Sequence, residues 1–207
     1  METTAISTFL FMGLALGLVH AFDPDHLAAV GGLSAGSAGH KALGSFQFAL
    51  HWSVGHGSAL FIIALLVFIF GQAIPTHLSE LAESSVAFML IAIGLLAFWR
   101  LSRRSKAANT SARYTAPLVG LVHGTAGSAG LLAIIPLSQI GQPALGLVYV
   151  LFFSAGVLVA MSALGSVFAH SMRMFQRADW PVLALIQGLM AAFSLILGLV
   201  LAFRLSI

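Results

Sequence analysis

The stretch "GLVHAFDPDHLAAV" (residues 17–30) sets two histidines, two aspartates and a proline inside otherwise apolar sequence. A membrane span needs about 20 apolar residues, and the surrounding run, about residues 5–33, is long enough for one tilted or broken helix. Asp23 and Asp25 would each cost about 2.5–3.5 kcal/mol in mid-span without partners. Pro24 has no N–H to give the carbonyl of His20, and its ring crowds that carbonyl, so the helix is expected to break there. On an unbroken helix His20 and His26 would point about 120° apart, and His20 and Asp25 about 140°. A break at Pro24 lets them converge. The plain alternative is an interfacial turn that ends the span, but a turn does not explain two histidines flanking the aspartates.

Composition supports the membrane reading. Of 207 residues, 59% are hydrophobic and 7% charged, with a mean hydropathy of +1.03; soluble domains carry about 25% charged residues. Lipid offers no partner for unpaired backbone, so an all-α integral membrane protein is expected. The chain has no Cys, which excludes disulfides, iron–sulfur clusters and thiolate metal sites. The net charge of +3 reads as a record of membrane orientation rather than of nucleic-acid binding. No basic segment precedes the first apolar run, so no cleaved signal peptide is expected. No Gly-x4-Gly-Lys-Ser/Thr loop is present, so ATP hydrolysis is not expected.

Further apolar runs at about 43–70, 85–99, 117–136, 144–169 and 181–203 make six expected spans. Lys41, Arg100, Arg103, Arg104, Lys106, Arg113, Arg173 and Arg177 fall in alternate connections on one side, and only Arg204 lies opposite. Basic loops stay cytoplasmic, which puts both termini outside a multi-pass protein of the inner membrane. The Gly-Leu-Val-His of 17–20 returns at 120–123, and "HWSVGHGSAL" (51–60) aligns loosely with "FSAGVLVAMS" (153–162). Both echoes lie about half a chain apart. The organisation read from them is a three-helix repeat over 1–99, a basic cytoplasmic loop over 100–115 and a second three-helix repeat over 116–207. Three spans per repeat invert one half relative to the other, a transporter architecture.

Carboxylates and imidazoles without thiolates suit a divalent first-row metal. By helical rise, His20, His51, His56 and His123 all fall about 9–22 Å deep. His51 and His56 are about 140° apart on a regular helix, and His56 is the better candidate. His40, His77 and His170 sit near loops and read as solvated. Glu80 and Glu83 read as a solvated loop rather than as a cation lure. Gly13-x3-Gly17 and Gly120-x3-Gly124 read as close-packing faces.

At these residues the chain resembles the nickel/cobalt permease family. His20-x4-Asp25-His26 matches that family's His-x4-Asp-His signature, and "WSVGHG" around His56 is similar to its Ser-Leu-Gly-His motif. Pro24 stands where the family commonly has Ala, and the family's later Asp-Thr-Ala-Thr-Glu motif is absent. The "HGTAGSAG" in its place resembles the shorter, six-span urease-accessory permeases. The resemblance implies that His20, Asp25, His26 and His56 line a metal path, with Asp23 close by; His51 and His123 are added on depth. The function expected is secondary uptake of a divalent metal, nickel first and cobalt second, with the ion as cargo and no resident cofactor. Its partners are the ion and the bilayer, with a homo-oligomer left open and no nucleic acid. Export is the alternative direction. A membrane metallohydrolase would need a general base and an open position, and a haem protein would use His51 or His56 with His123 as axial ligands.

The charge count makes a direct prediction in this Cys-free chain. An impermeant thiol reagent should label Leu78→Cys in intact cells, and Ala108→Cys only after permeabilisation. Labelling of position 108 alone would reverse the orientation.

Overall fold

The computed structural model describes residues 2–35, 42–70, 76–103, 112–126, 143–175 and 180–205. Every regular element among them is an α-helix: α1 (Glu2–His20), α2 (Pro24–Ala35), α3 (Ala42–Phe70), α4 (Thr76–Ser102), α5 (Ala112–Thr125), α6 (Pro143–Phe175) and α7 (Trp180–Arg204). Four segments are long and apolar enough to span a bilayer: Phe46–Val67, His77–Ser102, Pro143–Phe168 and Pro181–Arg204. α1 and α2 meet the same test only as a pair, bent by 50° at the break. The chain is a multi-pass membrane protein. The expected fourth run begins within α5, and its end, past residue 126, lies outside the described residues.

The sequence reading of the third run needs correction. The expected span of 85–99 was short, whereas α4 begins at Thr76. Its first turns are rich in Leu, Glu and Ala, which are good helix formers. Ser84 and Ser85 bond the carbonyls of Glu80 and Leu81, so their hydroxyls need no loop or water. Glu80 and Glu83 therefore stand on a helix, not in a loop. The basic connection is also shorter than 100–115, since α4 runs to Ser102 and α5 starts at Ala112.

The break at Pro24 has a local cause. α1 tightens at its end, with Phe22 N–H donating to Val19 O and Asp23 N–H to His20 O. Asp23 then caps α2, its carbonyl accepting from Leu27 N–H at 3.1 Å. Pro24 takes the first helical position, where a missing N–H costs nothing.

Glycines set how the helices cross. A Cβ on Gly17 of α1 would run into the backbone of Phe153 on α6, and one on Gly156 of α6 into Leu14 of α1. On α3 and α5 the same happens between Gly120 and Trp52, and between Gly55 and Pro117. Gly13 meets Tyr149 and Gly17 meets Phe153, so α1 runs parallel to α6; Gly120 meets Trp52 and Gly124 meets His56 and Ala59, so α3 runs parallel to α5. α4 and α7 run antiparallel, with Gly94 against Ala191 and Leu195, and Gly198 against Ala87 and Ile91. Ser194 Oγ ties the pair by donating to Leu90 O at 3.0 Å. α2 lies against both α4 and α7. Between α1, α3, α5 and α6 the core is built on Trp52, Tyr149, Phe153, Val157 and Met161.

These crossings predict which glycines tolerate a methyl. Gly17→Ala and Gly120→Ala push a side chain into a neighbouring backbone, an overpacking cost of about 1–3 kcal/mol. Gly31→Ala meets only Met190, at 3.9 Å. Thermal unfolding in detergent should show the first two destabilised and Gly31→Ala close to wild type.

Candidate metal centre

The break delivers the opening motif's side chains to one place. Because Pro24 has no N–H, the carbonyl of His20 is left free for other donors. It accepts from Asp23 N–H at 3.0 Å and from His26 Nδ1 at 2.9 Å. With its proton on Nδ1, His26 keeps its Nε2 lone pair for a ligand. The rings of His20 and His26 meet edge to face with centroids 4.6 Å apart. His20 and His26, which a break at Pro24 was expected to let converge, lie side by side.

α3 supplies the next imidazole. His56 is fully buried, with ring centroids 5.5 Å from His20 and 5.3 Å from His26. His20, His26 and His56 each offer a nitrogen, and these atoms lie within 4.8 Å of one another. α5 adds His123, whose Nδ1 donates to Val119 O at 3.0 Å and whose ring lies 5.4 Å from that of His26. Its Nε2 is buried and unpartnered, as are Nε2 of His20 and both ring nitrogens of His56.

Two carboxylates border the cluster. Asp23 Oδ2 lies 2.7 Å from His20 Nδ1. This contact turns the Nε2 of His20 away from the carboxylate, the arrangement in which an acid orients a ligating histidine. Asp25 Oδ1 is 4.0 Å from His26 Nδ1, and Asp23, Asp25 and His26 form a second group able to share an ion.

The remaining histidines stand apart. His51 bonds the Gln47 carbonyl of its own helix at 2.6 Å and has no ring contact with the cluster among the described residues. His77 and His170 are exposed, and His40 lies outside the described residues. A residue that the sequence reading passed over is Trp52. It is fully buried, stacks on His56 at 5.0 Å and 14°, and meets His26 edge-on at 4.8 Å. The signal was its i, i+4 spacing from His56, which puts both on one helix face.

Buried polar atoms are normally paired, and each that is not costs about 1–3 kcal/mol. Four unpartnered imidazole nitrogens on three histidines are hard to explain as packing. A borderline divalent cation is the species that would satisfy imidazole lone pairs from several directions at once.

The same chain was compared with known proteins. It is 27% identical over 176 residues, 78% of its length and 76% of the relative's, to urease accessory protein UreH from Bacillus sp. (strain TB-90). The chain is similar to a urease accessory protein. No family model matches the chain, and no solved structure does.

Trp52 gives the cluster a spectroscopic handle. In a Trp99→Phe, Trp180→Phe background, Ni²⁺ should quench Trp52 fluorescence, and His56→Ala should abolish the quenching. Neutral imidazole binds metal and imidazolium does not, so the affinity should be lower at pH 5 than at pH 7.5. Equal affinities at the two pH values would exclude histidine ligation.

Proposed function

We propose that the chain is a six-span secondary permease that takes up a divalent transition metal, nickel first and cobalt second, across the cytoplasmic membrane. The observation that carries this reading is the buried set of imidazoles at the Pro24 break, with lone pairs that no protein donor uses. The order of metals rests on the resemblance to nickel/cobalt permeases and on the similarity to a urease accessory protein. His20, Asp25, His26 and His56 are the ligands of the path. His123 joins them from the second half, Asp23 orients His20, and His51 is peripheral.

The path lies between two inverted repeats. Their support is the recurrence of helix contacts about half a chain apart: Gly17 on Phe153 and Gly120 on Trp52, Gly156 on Leu14 and Gly55 on Pro117, Gly94 on Ala191 and Gly198 on Ala87. The first helix of one half runs parallel to the long helix of the other in both pairings, as inversion requires. His20 and His123 occupy equivalent positions in the repeated Gly-Leu-Val-His. The cation sheds water at the break, exchanges it for imidazole and carboxylate, and passes inward as the halves rock. A potential of 100 mV, negative inside, supplies about 4.6 kcal/mol for a divalent ion, enough for uphill uptake without a second ion.

Radiolabelled nickel uptake per unit of inserted protein tests the ranking of residues. His20→Ala, Asp25→Ala and His26→Ala should abolish accumulation, and His56→Ala should come close. Asp23→Asn should be intermediate, since loss of a group that orients a ligand costs about 10–100-fold in metal affinity. His123→Ala and His51→Ala should reduce uptake less, and His77→Ala and His170→Ala should be near neutral. Wild-type uptake by the His20 and His26 variants would sink the metal-path reading.

A further inference from the structure

A cavity of about 420 Å³ opens beside the break, walled by α2, α4 and α7. Asp23 and Asp25 line it from the motif side, with Glu83 and Val86 from α4 and Leu197 and Arg204 from α7. Among the described residues its charged groups are three carboxylates and one guanidinium, a formal charge of minus two. Arg204 is exposed and pairs with no acid within 4 Å among the described residues, so it acts on the cavity through its field rather than through a salt bridge. At about 30 Å³ per water, a cation with six waters needs about 180 Å³, and the cavity holds it with its shell intact. Beyond Asp25 stand the buried imidazoles, with Nε2 of His20 and His123 and both ring nitrogens of His56 unpartnered.

We propose that this cavity is a capture vestibule for the hydrated divalent cation, in which Glu83 is a third attracting carboxylate and Arg204 the counter-charge that keeps the ion from being held there. The proposal rests on the transport reading above and adds two residues outside the ligand set. The two stations divide the work by chemistry. The vestibule offers charge and oxygen, which suit any divalent cation with its water in place. The imidazoles offer nitrogen, which favours first-row transition metals over magnesium and calcium. Three carboxylates without a guanidinium would hold a dication too well for onward movement, and conduction needs binding weak enough to leave. With Arg204 the vestibule charge equals that of one cargo ion in magnitude, so an occupied vestibule is neutral and does not attract a second.

Long-range attraction raises capture rates, and salt removes the effect. Initial nickel uptake should be measured in proteoliposomes for wild type, Glu83→Gln and Arg204→Gln. At about 0.01 M salt, where the Debye length is about 30 Å, Glu83→Gln should raise KM about three- to tenfold and Arg204→Gln lower it by a similar factor. At about 1 M salt, where the length is about 3 Å, the three curves should converge. Nickel binding to the purified variants at high salt should match wild type, since neither residue is among the ligands. KM values that do not move with either substitution, or that keep their differences at high salt, would overturn the vestibule. Loss of nickel binding by purified Glu83→Gln would also overturn it, making that residue a ligand or a structural one. A wild-type protein that neither binds nor moves nickel would remove the transport reading itself, and the vestibule with it.

Discussion

The structure turns on one carbonyl. In a continuous helix the oxygen of His20 would accept from the N–H four residues on, and that residue is Pro24, which has none. The freed oxygen takes Asp23 N–H and His26 Nδ1 instead. One substitution of hydrogen-bond partner thus bends the span by 50°, caps the next helix with Asp23, and fixes the tautomer of His26. Everything else in the candidate site is assembled around that bond. His56 and Trp52 come in from α3, and His123 from α5, because glycines let those helices approach to backbone contact.

The cluster is poor engineering for stability. Its unpaired nitrogens are each worth about 1–3 kcal/mol of lost hydrogen bonding, and aliphatic side chains would fill the same space without that cost. Val157 of α6, fully buried in the neighbouring apolar core, is a side chain of that kind. Three of the four clustered imidazoles come from α1, α2 and α3, and His123 comes from α5.

Much of this was legible in the sequence, and for physical reasons. Pro24 forced a break whatever the surroundings, so the convergence of His20 and His26 followed from local chemistry. Depth along its run brought in His123, which the structure sets beside His26. Periodicity could not see tertiary neighbours. Glu83 read as a loop residue because acidic residues near an apolar run usually are, and only the packing of α2 against α4 sets it beside Asp23 and Asp25. Trp52 was hidden in the same way: a tryptophan in an apolar helix looks like core until the ring it stacks on is known. His51 shows the reverse limit, since depth alone brought it into the candidate set while its helix face turns it to the Gln47 carbonyl.

The central claim is that metal is held by histidines at the Pro24 break. X-ray absorption at the nickel edge on the nickel-loaded, purified protein measures this most directly, because outer-shell scattering from imidazole rings counts histidine ligands. The account predicts at least three imidazoles in the coordination sphere, with a loss of scattering in the His26→Ala protein. A nickel surrounded by oxygen alone, unchanged by that substitution, would contradict it.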